Sequence, residues 1–420
     1  MRFDQYNISD QIKKNLAALG FKRPTDIQYK AIPSIIKGED VLAIAQTGTG
    51  KTAAFAIPII NKIHEQKKSR RVSGIKCLVM EPTRELAMQI GEVFTAIAKH
   101  TRTKAFALYG GVEQDPQIAK LQQGIDILIT TPGRMFDLIN QGYIDLAYVD
   151  TLVLDEADHM LDLGFIDDIK YVKKMLPRKH QTLFFSATID KEIKKLAWSQ
   201  VRTSAIRIQI SPDDPVSKNV SHFVMYVEMD DKRFFLERFI NDNPDSKIIV
   251  FVRTRVRAER VARAMARVGI AASTIHGEKE QQDRSRVMQA FKAGEFNILI
   301  ATDVSARGID VPNVDYVVNY DLPDEAENYV HRVGRTGRGR QKGVAISFCS
   351  REEKIKLEEI HQLLNKEIGV IEIGKREYAE IAKPVDQKND LQALLQEDKE
   401  WEEKKKKRKA QKLRKKKKKK

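Results

Sequence analysis

Two short segments in the first half of the chain carry residue types that could bind and split a nucleoside triphosphate. Residues 155–158 read Asp-Glu-Ala-Asp and directly follow the apolar run 151–154. Ligands of open α/β sheets bind at the carboxyl ends of the strands, so acids in this position would lie at a ligand site. Residues 45–52, AQTGTGKT, form a glycine-rich segment whose backbone N–H groups and lysine could surround phosphates. Together the two segments predict a machine driven by NTP hydrolysis.

The glycine-rich segment departs from the common phosphate-loop pattern at its first position, where Ala45 replaces glycine. Gly48 and Gly50 still permit the tight turn that such a loop needs. Lys51 should reach the β- and γ-phosphates, and Thr52 should ligate Mg²⁺. A chance glycine-rich loop is the alternative, but strand-like residues precede this segment and an apolar helix pattern follows it. The residues assigned to the nucleotide are Gln46, Thr47, Gly48, Thr49, Gly50, Lys51 and Thr52.

The acidic segment supplies the other half of the predicted chemistry. Asp155 should hold Mg²⁺ through water, because this ion keeps several waters when it binds to proteins. Glu156 is the candidate for orienting and deprotonating the attacking water. Phosphoryl transfer needs mainly positioning and charge neutralisation, and these groups supply both. An ordinary acidic loop after a buried strand is the alternative, which the nearby phosphate loop disfavours.

An arginine- and glycine-rich segment in the second half could complete the site. Residues 331–338 read HRVGRTGR. Arginines that close on a γ-phosphate from outside can stabilise the transition state of its transfer. Taken alone, such a run is typical of a basic loop. On a second domain that faces the first, it could supply arginine fingers.

Short apolar runs alternate with longer helix-period segments in two successive sets, which predicts parallel sheets covered by helices. The fold class is therefore α/β, with two tandem doubly wound sheets. Residues 210–218 contain two prolines, two acids and two serines, a composition typical of a linker between domains that open and close. The predicted strands are 41–45, 77–81, 125–130, 152–155, 182–186, 247–251, 272–275, 298–301, 316–319 and 344–348. The predicted parts are an ATP-binding domain, 1–209; a linker, 210–218; a second domain, 219–370; and a basic tail, 371–420.

The motifs, taken in order, resemble those of the DEAD-box ATP-dependent RNA helicases of bacterial type, which have two RecA-like domains. The resemblance covers roughly residues 3–350, and Ala45 is its one departure from the strictest pattern. The matching segments are residues 20–28 with Phe3 upstream, 45–52, 82–86, 110–111, 131–134, 155–158, 186–188, 250–252, 281–284, 302–310 and 331–338.

The resemblance implies a role for each motif. Gln28 would hydrogen-bond to adenine, Phe21 would stack on it, and Asp310 would contact ribose. Arg335 and Arg338 would be the arginine fingers. Gly308 would lie at the nucleotide. The residues implied to contact the RNA backbone are Pro82, Thr83, Arg84, Gly110, Gly111, Thr131, Pro132, Gly133, Arg134, Arg284 and Thr302. The residues implied to couple hydrolysis to unwinding are Ser186, Ala187, Thr188, Asp158 and His331.

The resemblance also implies an activity, the local unwinding of short RNA duplexes with ATP and Mg²⁺. Loops rich in Thr, Gly and Arg offer hydroxyl, N–H and guanidinium groups to phosphates, contacts that position a strand without reading its sequence. One alternative is an ATP-dependent RNA clamp with weak strand separation. Another is a DNA-translocating helicase, which the adenine-reading segment and the acids disfavour. Ribonucleoprotein and RNA-decay partners are family roles among which the sequence does not choose.

Positive charge is concentrated at one end of the chain. The net charge is +16, and residues 404–420 contain 14 Lys or Arg and no acid, which leaves +2 for residues 1–403. A block of like charges usually stays disordered, and this one should tether RNA without recognising it. Cys77 and Cys349 lie in apolar runs and offer no metal-ligand spacing. Without an apolar signal core or a run of about 18 apolar residues, a cytoplasmic protein is expected.

Overall fold

The computed structural model describes residues 2–45, 48–69, 73–177, 179–188, 191–210, 216, 219–279, 281–303, 311–337 and 341–382. The chain divides into two units after Ile371. In the second unit, which begins at Glu372, the described residues are 372–382, and they include one short helix. Both sheets belong to the first unit.

The first half of the chain folds around a seven-stranded sheet in which every described strand pair is parallel. Its strands are β1 Val41–Ala45, β2 Cys77–Met80, β3 Ala105–Leu108, β4 Ile127–Thr130, β5 Thr151–Leu154, β6 Gln181–Ser186 and β7 Ile206–Ile210. They lie in the order β3-β4-β2-β5-β6-β1-β7.

The second half folds around another seven-stranded parallel sheet. Its strands are β8 Val220–Tyr226, β9 Ile248–Phe251, β10 Ala272–Ile275, β11 Ile298–Ala301, β12 Tyr316–Asn319, β13 Gly343–Cys349 and β14 Gly369–Val370. Their order, β10-β11-β9-β12-β13-β8-β14, repeats that of the first sheet with seven added to each number. The predicted fold class, two tandem RecA-like sheets, is confirmed.

Helices connect most successive strands in the described part of the chain, in keeping with parallel pairing. None of the described helices combines the length and the apolar character that a membrane span needs. In the first half they are α1 Asp10–Ala18, α2 Asp26–Ile36, α3 Lys51–Ser69, α4 Arg84–Ile97, α5 Asp115–Gln122, α6 Pro132–Asn140, α7 Ala157–Asp162, α8 Ile166–Met175 and α9 Lys191–Gln200, with a 3₁₀ turn at Phe3–Gln5. Later ones are α10 Lys232–Asp242, α11 Arg255–Arg267, α12 Gln281–Ala293, α13 Ala326–Val333, α14 Lys354–Leu364 and α15 Lys375–Ile381, with a 3₁₀ turn at Arg351–Glu353.

Alternate residues of the first sheet face two different cores. Val79 of β2 and Val153 of β5 pack with the apolar residues of α3 on one face. Met80 and Leu154, one position later on the same strands, pack into the core on the opposite face. This period of two follows from the pleat of a strand, and it fixes which side chains at the strand ends face α3.

The strands that sequence analysis did not predict are β3, β7, β8 and β14. Three of them, β3, β7 and β14, are edge strands, and β8 lies next to an edge. β7 alternates apolar with polar residues and β14 has only two residues, so neither forms an apolar run. β3, AFAL, and the end of β8, FVMY, are apolar runs that the sequence analysis passed over. β7 ends at Ile210, the first residue of the predicted linker. Residues 211–215 and 217–218 of that linker, and the tail from residue 383, lie outside the described residues.

A buried network of charges joins three strand ends of the second sheet. Lys232 of α10 is fully buried, and its ammonium group donates to the Tyr320 carbonyl (2.7 Å) and to Glu353 Oε2 (2.5 Å). The Glu353 carboxylate also accepts from Leu322 N (3.1 Å) and Arg253 Nη2 (2.7 Å). Since these partners follow β9, β12 and β13, the network fixes the loops at the carboxyl edge of the sheet.

We expect Lys232→Met to lower the free energy of unfolding by about 3–5 kcal/mol, because it leaves the buried Glu353 carboxylate with one cation fewer. Urea unfolding, with hydrogen exchange at β12 as the local probe, measures the loss. Lys68→Met is the control, since its pair with Glu65 is exposed and should be worth less than about 1 kcal/mol. Equal losses in the two variants would contradict the role given to the network.

Candidate functional site

The phosphate loop is tied to α2 by Gln28. The amide of Gln28 donates from Nε2 to the Gly50 carbonyl (3.1 Å) and accepts at Oε1 from Thr25 N (3.0 Å). Gly50 has φ +91°, and a Cβ on it would lie 2.5 Å from Gln28 Nε2, so the position requires glycine. Gln28 therefore positions the loop as well as being the predicted reader of adenine. Gln46 and Thr47 lie outside the described residues.

The remaining predicted nucleotide contacts lie beside this loop or near α2. Gly48 is exposed with φ +80°, and Thr49 and Thr52 are half-buried around the first turn of α3. Phe21 is half-buried, and its ring meets that of Phe3 edge-on at 5.9 Å between centroids. The stacking of Phe21 on adenine stays a prediction.

The buried ammonium of Lys51 forms ion pairs with both acids that follow β5. Lys51 Nζ lies 3.2 Å from Glu156 Oε1 and 3.9 Å from Asp155 Oδ1. Glu156 has φ +51° and ψ +46°, a left-handed conformation that is uncommon outside glycine, and its N–H donates to Asp155 Oδ1 (2.9 Å). Strained turns of this kind cluster at functional sites. The turn places both carboxylates within reach of one lysine.

The pKa values of the two acids shift in opposite directions, although burial acts to raise both. Burial would lower the pKa of Lys51, but the carboxylates of Glu156 and Asp155 outweigh it and raise that pKa. Burial raises the pKa of Asp155 to about 6, since Lys51 offsets burial only in part. Burial also acts to raise the pKa of Glu156, but Lys51, His331 and Arg335 together lower it to about 2. Two of these cations come from the second half, so both halves contribute to one electrostatic site.

The acidic cluster fits a divalent cation. Its four carboxyl groups are buried around a single buried ammonium, and buried negative charge is costly unless a cation balances it. Among the described residues, no group of three His, Cys, Asp or Glu is placed to hold a metal. That suits Mg²⁺, which takes one or two carboxylates and keeps several waters. The four acids are Glu81, Asp155, Glu156 and Asp158.

Asp158 connects the acidic turn to the segment after β6. Its Oδ2 accepts from Ala187 N (3.0 Å), Thr188 N (3.0 Å) and Thr188 Oγ1 (3.1 Å). Ser186, the last residue of β6, is buried beside them. One carboxylate oxygen thus holds the predicted coupling segment by three hydrogen bonds.

The arginine-rich segment is anchored within the second half by Arg332. Arg332 is buried, and its guanidinium forms a two-pronged ion pair with Asp303, at 2.5 Å from Nε and 2.7 Å from Nη2. Arg335 is buried one turn later, with Nε donating to the His331 carbonyl (3.0 Å). Thr302, a predicted RNA contact, immediately precedes Asp303. The predicted residues Gly308, Asp310 and Arg338 lie outside the described residues.

The predicted RNA-contact loops of the first half meet at the carboxyl edge of its sheet. Thr83 caps α4, and Arg84 lies against Gly110 and Gly111, so closely that a Cβ on Gly111 would overlap its guanidinium. Arg134 Nη2 donates to the Val112 carbonyl (2.9 Å) and joins that loop to α6. The predicted residues at the start of α6 or just before it are Thr131, Pro132 and Gly133, and Pro82 precedes the cap of α4.

Glu85 joins the two halves next to these loops. Arg284 Nη2 lies 2.8 Å from Glu85 Oε1, and Gln281 Nε2 donates to the same oxygen (3.4 Å). Arg284, a predicted RNA contact, is therefore paired with an acid of α4. A cavity of about 100 Å³ lies between α4 and α12 beside this pair, and Met88 and Met288 are among the residues that line it.

Sequence reasoning gave no role to Glu85, Arg332 or Glu81. Glu85 and Arg332 stand inside the quoted motifs, so their residue types were visible but their partners were not. Glu81 had a usable signal, since it is an acid that directly follows the apolar strand β2. The partners of Glu85 and Arg332 are distant along the chain, and Glu81 has no hydrogen-bond partner among the described residues. Spacing along the chain therefore could not reveal a role for any of the three.

Comparison with known proteins agrees with this geometry. The chain matches the DEAD/DEAH box helicase family over residues 25–196 and the helicase conserved C-terminal domain over residues 231–340. It is 39% identical over 368 residues to the DEAD-box ATP-dependent RNA helicase CshA of Bacillus cereus, covering 87% of this chain and 69% of the relative. It is also 39% identical over 373 residues to the ATP-dependent RNA helicase RhlB of a Shewanella species (strain W3-18-1), covering 88% and 85%.

Solved structures of similar fold carry RNA and ATP analogues. Dbp5 of S. cerevisiae bound to RNA and ADP BeF3 superposes with a TM-score of 0.80 at 30% identity, covering 91% of this chain and 97% of that one. Mss116p bound to ssRNA and AMP-PNP superposes with a TM-score of 0.81 at 27% identity, covering 91% and 82%. With the motifs, the two repeated sheets and the shared electrostatic site in place, the chain belongs to the DEAD-box family of ATP-dependent RNA helicases.

Proposed function

We propose that this helicase binds ATP between its two halves and separates short RNA duplexes locally, by closing on the backbone of one strand. The observation that carries the proposal is the action of Arg335 and His331, from the second half, on Glu156 of the first. An effect of these two residues on the pKa of Glu156 requires the halves to be close together, with residues 331–335 near the turn at residues 155–156. The high TM-scores to two relatives with bound RNA and ATP analogues support the same closed arrangement.

The residues of the first half would handle the triphosphate. Lys51 would exchange its ion pairs with Glu156 and Asp155 for the β- and γ-phosphates, which frees Glu156 to orient the attacking water. Thr52 and Asp155 would hold Mg²⁺, which when bound neutralises charge on the β- and γ-phosphate oxygens.

The fingers would come from the second half. Arg335 would stabilise charge that develops on the phosphoryl group, and Arg338 is the second candidate by sequence. The Arg332–Asp303 pair would tie this segment to Thr302, a proposed RNA contact. RNA binding at Thr302 and finger placement would then depend on one rigid connection.

RNA would be gripped through its phosphates. The guanidinium groups of Arg84 and Arg134 lie among short loops at the carboxyl edge of the first sheet. Backbone contacts of this kind position a strand without recognising its bases. Asp158 and the segment 186–188 would relay the state of the nucleotide, because the same carboxylate neighbours both the acidic turn and this segment. A cytoplasmic location stays a prediction.

We expect Glu156→Gln to reduce steady-state ATP turnover by about 10²–10⁴-fold, since the amide keeps the size of the side chain but can neither orient nor deprotonate water as a carboxylate does. The variant should retain RNA in the presence of ATP longer than the wild type does. RNA-stimulated phosphate release and RNA dissociation rates check the two parts. Turnover near the wild-type rate would exclude Glu156 from the chemical step.

We expect Arg335→Ala to lower kcat by about 10³–10⁵-fold with little change in ATP affinity, because a finger acts on charge that appears in the transition state. Single-turnover hydrolysis and equilibrium binding of a non-hydrolysable analogue separate the two quantities. Arg267→Ala, at the end of α11 in the same half, is the control. A rise in KM alone would make Arg335 a ground-state contact instead.

Unwinding distinguishes a helicase from an RNA clamp. We expect the wild-type protein to separate a short RNA duplex in the presence of ATP, and Lys51→Ala to abolish both turnover and separation. A strand-displacement assay measures this alongside retention on single-stranded RNA with a non-hydrolysable analogue. Long retention without strand displacement would favour the clamp, and equal stimulation of ATP turnover by DNA would favour a DNA translocase.

A further inference from the structure

Glu81 lies beside the predicted magnesium ligand, on the same face of the first sheet. It is the residue directly after β2, and Asp155 directly follows β5. The two strands pair in parallel with Met80 opposite Leu154, so Glu81 stands opposite Asp155 at a strand spacing of about 4.8 Å. Because side chains alternate along a strand, both acids face α3, as Val79 and Val153 do.

The carboxyl group of Glu81 is buried and unsatisfied. The residue is 0% exposed, and neither carboxyl oxygen has a hydrogen-bond partner in the part of the chain that the structure describes. A buried polar group without a partner destabilises a protein, so native proteins keep few of them. Burial, together with the charges of Asp155 and Glu156, raises the pKa of Glu81 well above its usual value, against the opposing effect of Lys51.

The donors that Glu81 lacks are those that a hydrated cation brings. Mg²⁺ binds proteins through one or two carboxylates and retains several waters. Those waters are hydrogen-bond donors. A carboxyl group beside the metal ligand, as Glu81 is beside Asp155, is a suitable acceptor for them. Groups that hydrogen-bond to the ligands of a metal, and not to the metal itself, orient those ligands and contribute strongly to metal affinity.

We propose that Glu81 is a positioning residue for magnesium, one that accepts hydrogen bonds from the waters that the ion keeps and so holds the hydrated ion against Asp155. The inference rests on the proposed placement of Mg²⁺ at Thr52 and Asp155. It accounts for why an acid occupies a fully buried position where an apolar residue would pack without cost. A merely structural acid would instead be expected to have protein partners.

The test is the gain in ADP affinity that Mg²⁺ provides, measured by calorimetry on the full-length chain with and without the ion. Glu81→Met keeps the volume and removes both oxygens, and we expect it to reduce that gain by about 10–100-fold. Glu81→Gln keeps one acceptor oxygen and should fall between Glu81→Met and the wild type. Affinity for ADP without Mg²⁺ should stay unchanged in both variants. Glu92→Gln, an exposed acid of α4, is the matched control.

A stability measurement separates positioning from a structural role. Without nucleotide, Glu81→Met should melt about 2–8 °C above the wild type, since it removes an unpartnered buried carboxyl group. A lower melting temperature together with weaker Mg²⁺-free ADP binding would mean that Glu81 serves folding, and would overturn the proposal.

Asp155→Asn distinguishes failure of this inference from failure of the proposed metal site. If Asp155→Asn abolishes the gain in ADP affinity that Mg²⁺ provides while Glu81→Met keeps that gain, the metal site stands and the role of Glu81 is refuted. If Asp155→Asn also keeps the gain, the placement of Mg²⁺ at Asp155 is wrong, and the inference fails with it.

Discussion

The structure depends on a buried excess of negative charge at the carboxyl edge of the first sheet. Four acids lie in a site from which water is largely excluded, and one buried ammonium, that of Lys51, balances them in part. Such an arrangement is unfavourable by itself, because charges lose their hydration when they are buried. In the proposed cycle, Lys51, Arg335 and a bound Mg²⁺ would supply positive charge near these acids.

The second half supplies part of that charge. Its sheet repeats the strand order of the first, and His331 and Arg335 lie between its strands β12 and β13. Arg335 and His331 lower the pKa of Glu156, while Asp155 keeps a pKa near 6. The pKa values of the two neighbouring acids thus differ, and groups of both halves, Lys51 first among them, contribute to the difference. The ion pair between Glu85 and Arg284 supports the same closeness next to the RNA loops.

In the proposed cycle, two direct side-chain connections would carry the state of the charged site to the RNA side. Asp158 holds the segment 186–188 by three hydrogen bonds to one oxygen. Arg332 holds Asp303, which adjoins Thr302. Both connections use a carboxylate and short, direct bonds, so in the proposed cycle a shift at one end would be transmitted to the other. In the second sheet the network of Lys232 and Glu353 keeps the neighbouring loops fixed.

The sequence by itself determined the fold class, most of the strands and the candidate residues for the ATP site. It could do so because β1, β2, β5 and other central strands are buried on both faces and therefore read as unbroken apolar runs. The edge strand β7 was missed since its residues alternate between apolar and polar, whereas β3 is a short apolar run that was passed over. The phosphate loop and the acids were found because their chemistry depends on local spacing, which a sequence records directly.

Only the tertiary structure decided which residues meet. Glu85 and Arg284 are far apart along the chain, as are Gln28 and Gly50, and no periodicity links them. The unequal pKa values of Asp155 and Glu156 arise from burial, from Lys51 and, for Glu156, from His331 and Arg335 of the other half, and these contacts have no signature in a single segment. Glu81 shows the difference most clearly. Its sequence context says only that an acid follows a strand. Strand pairing places that acid opposite Asp155, where it is buried and has no hydrogen-bond partner among the described residues.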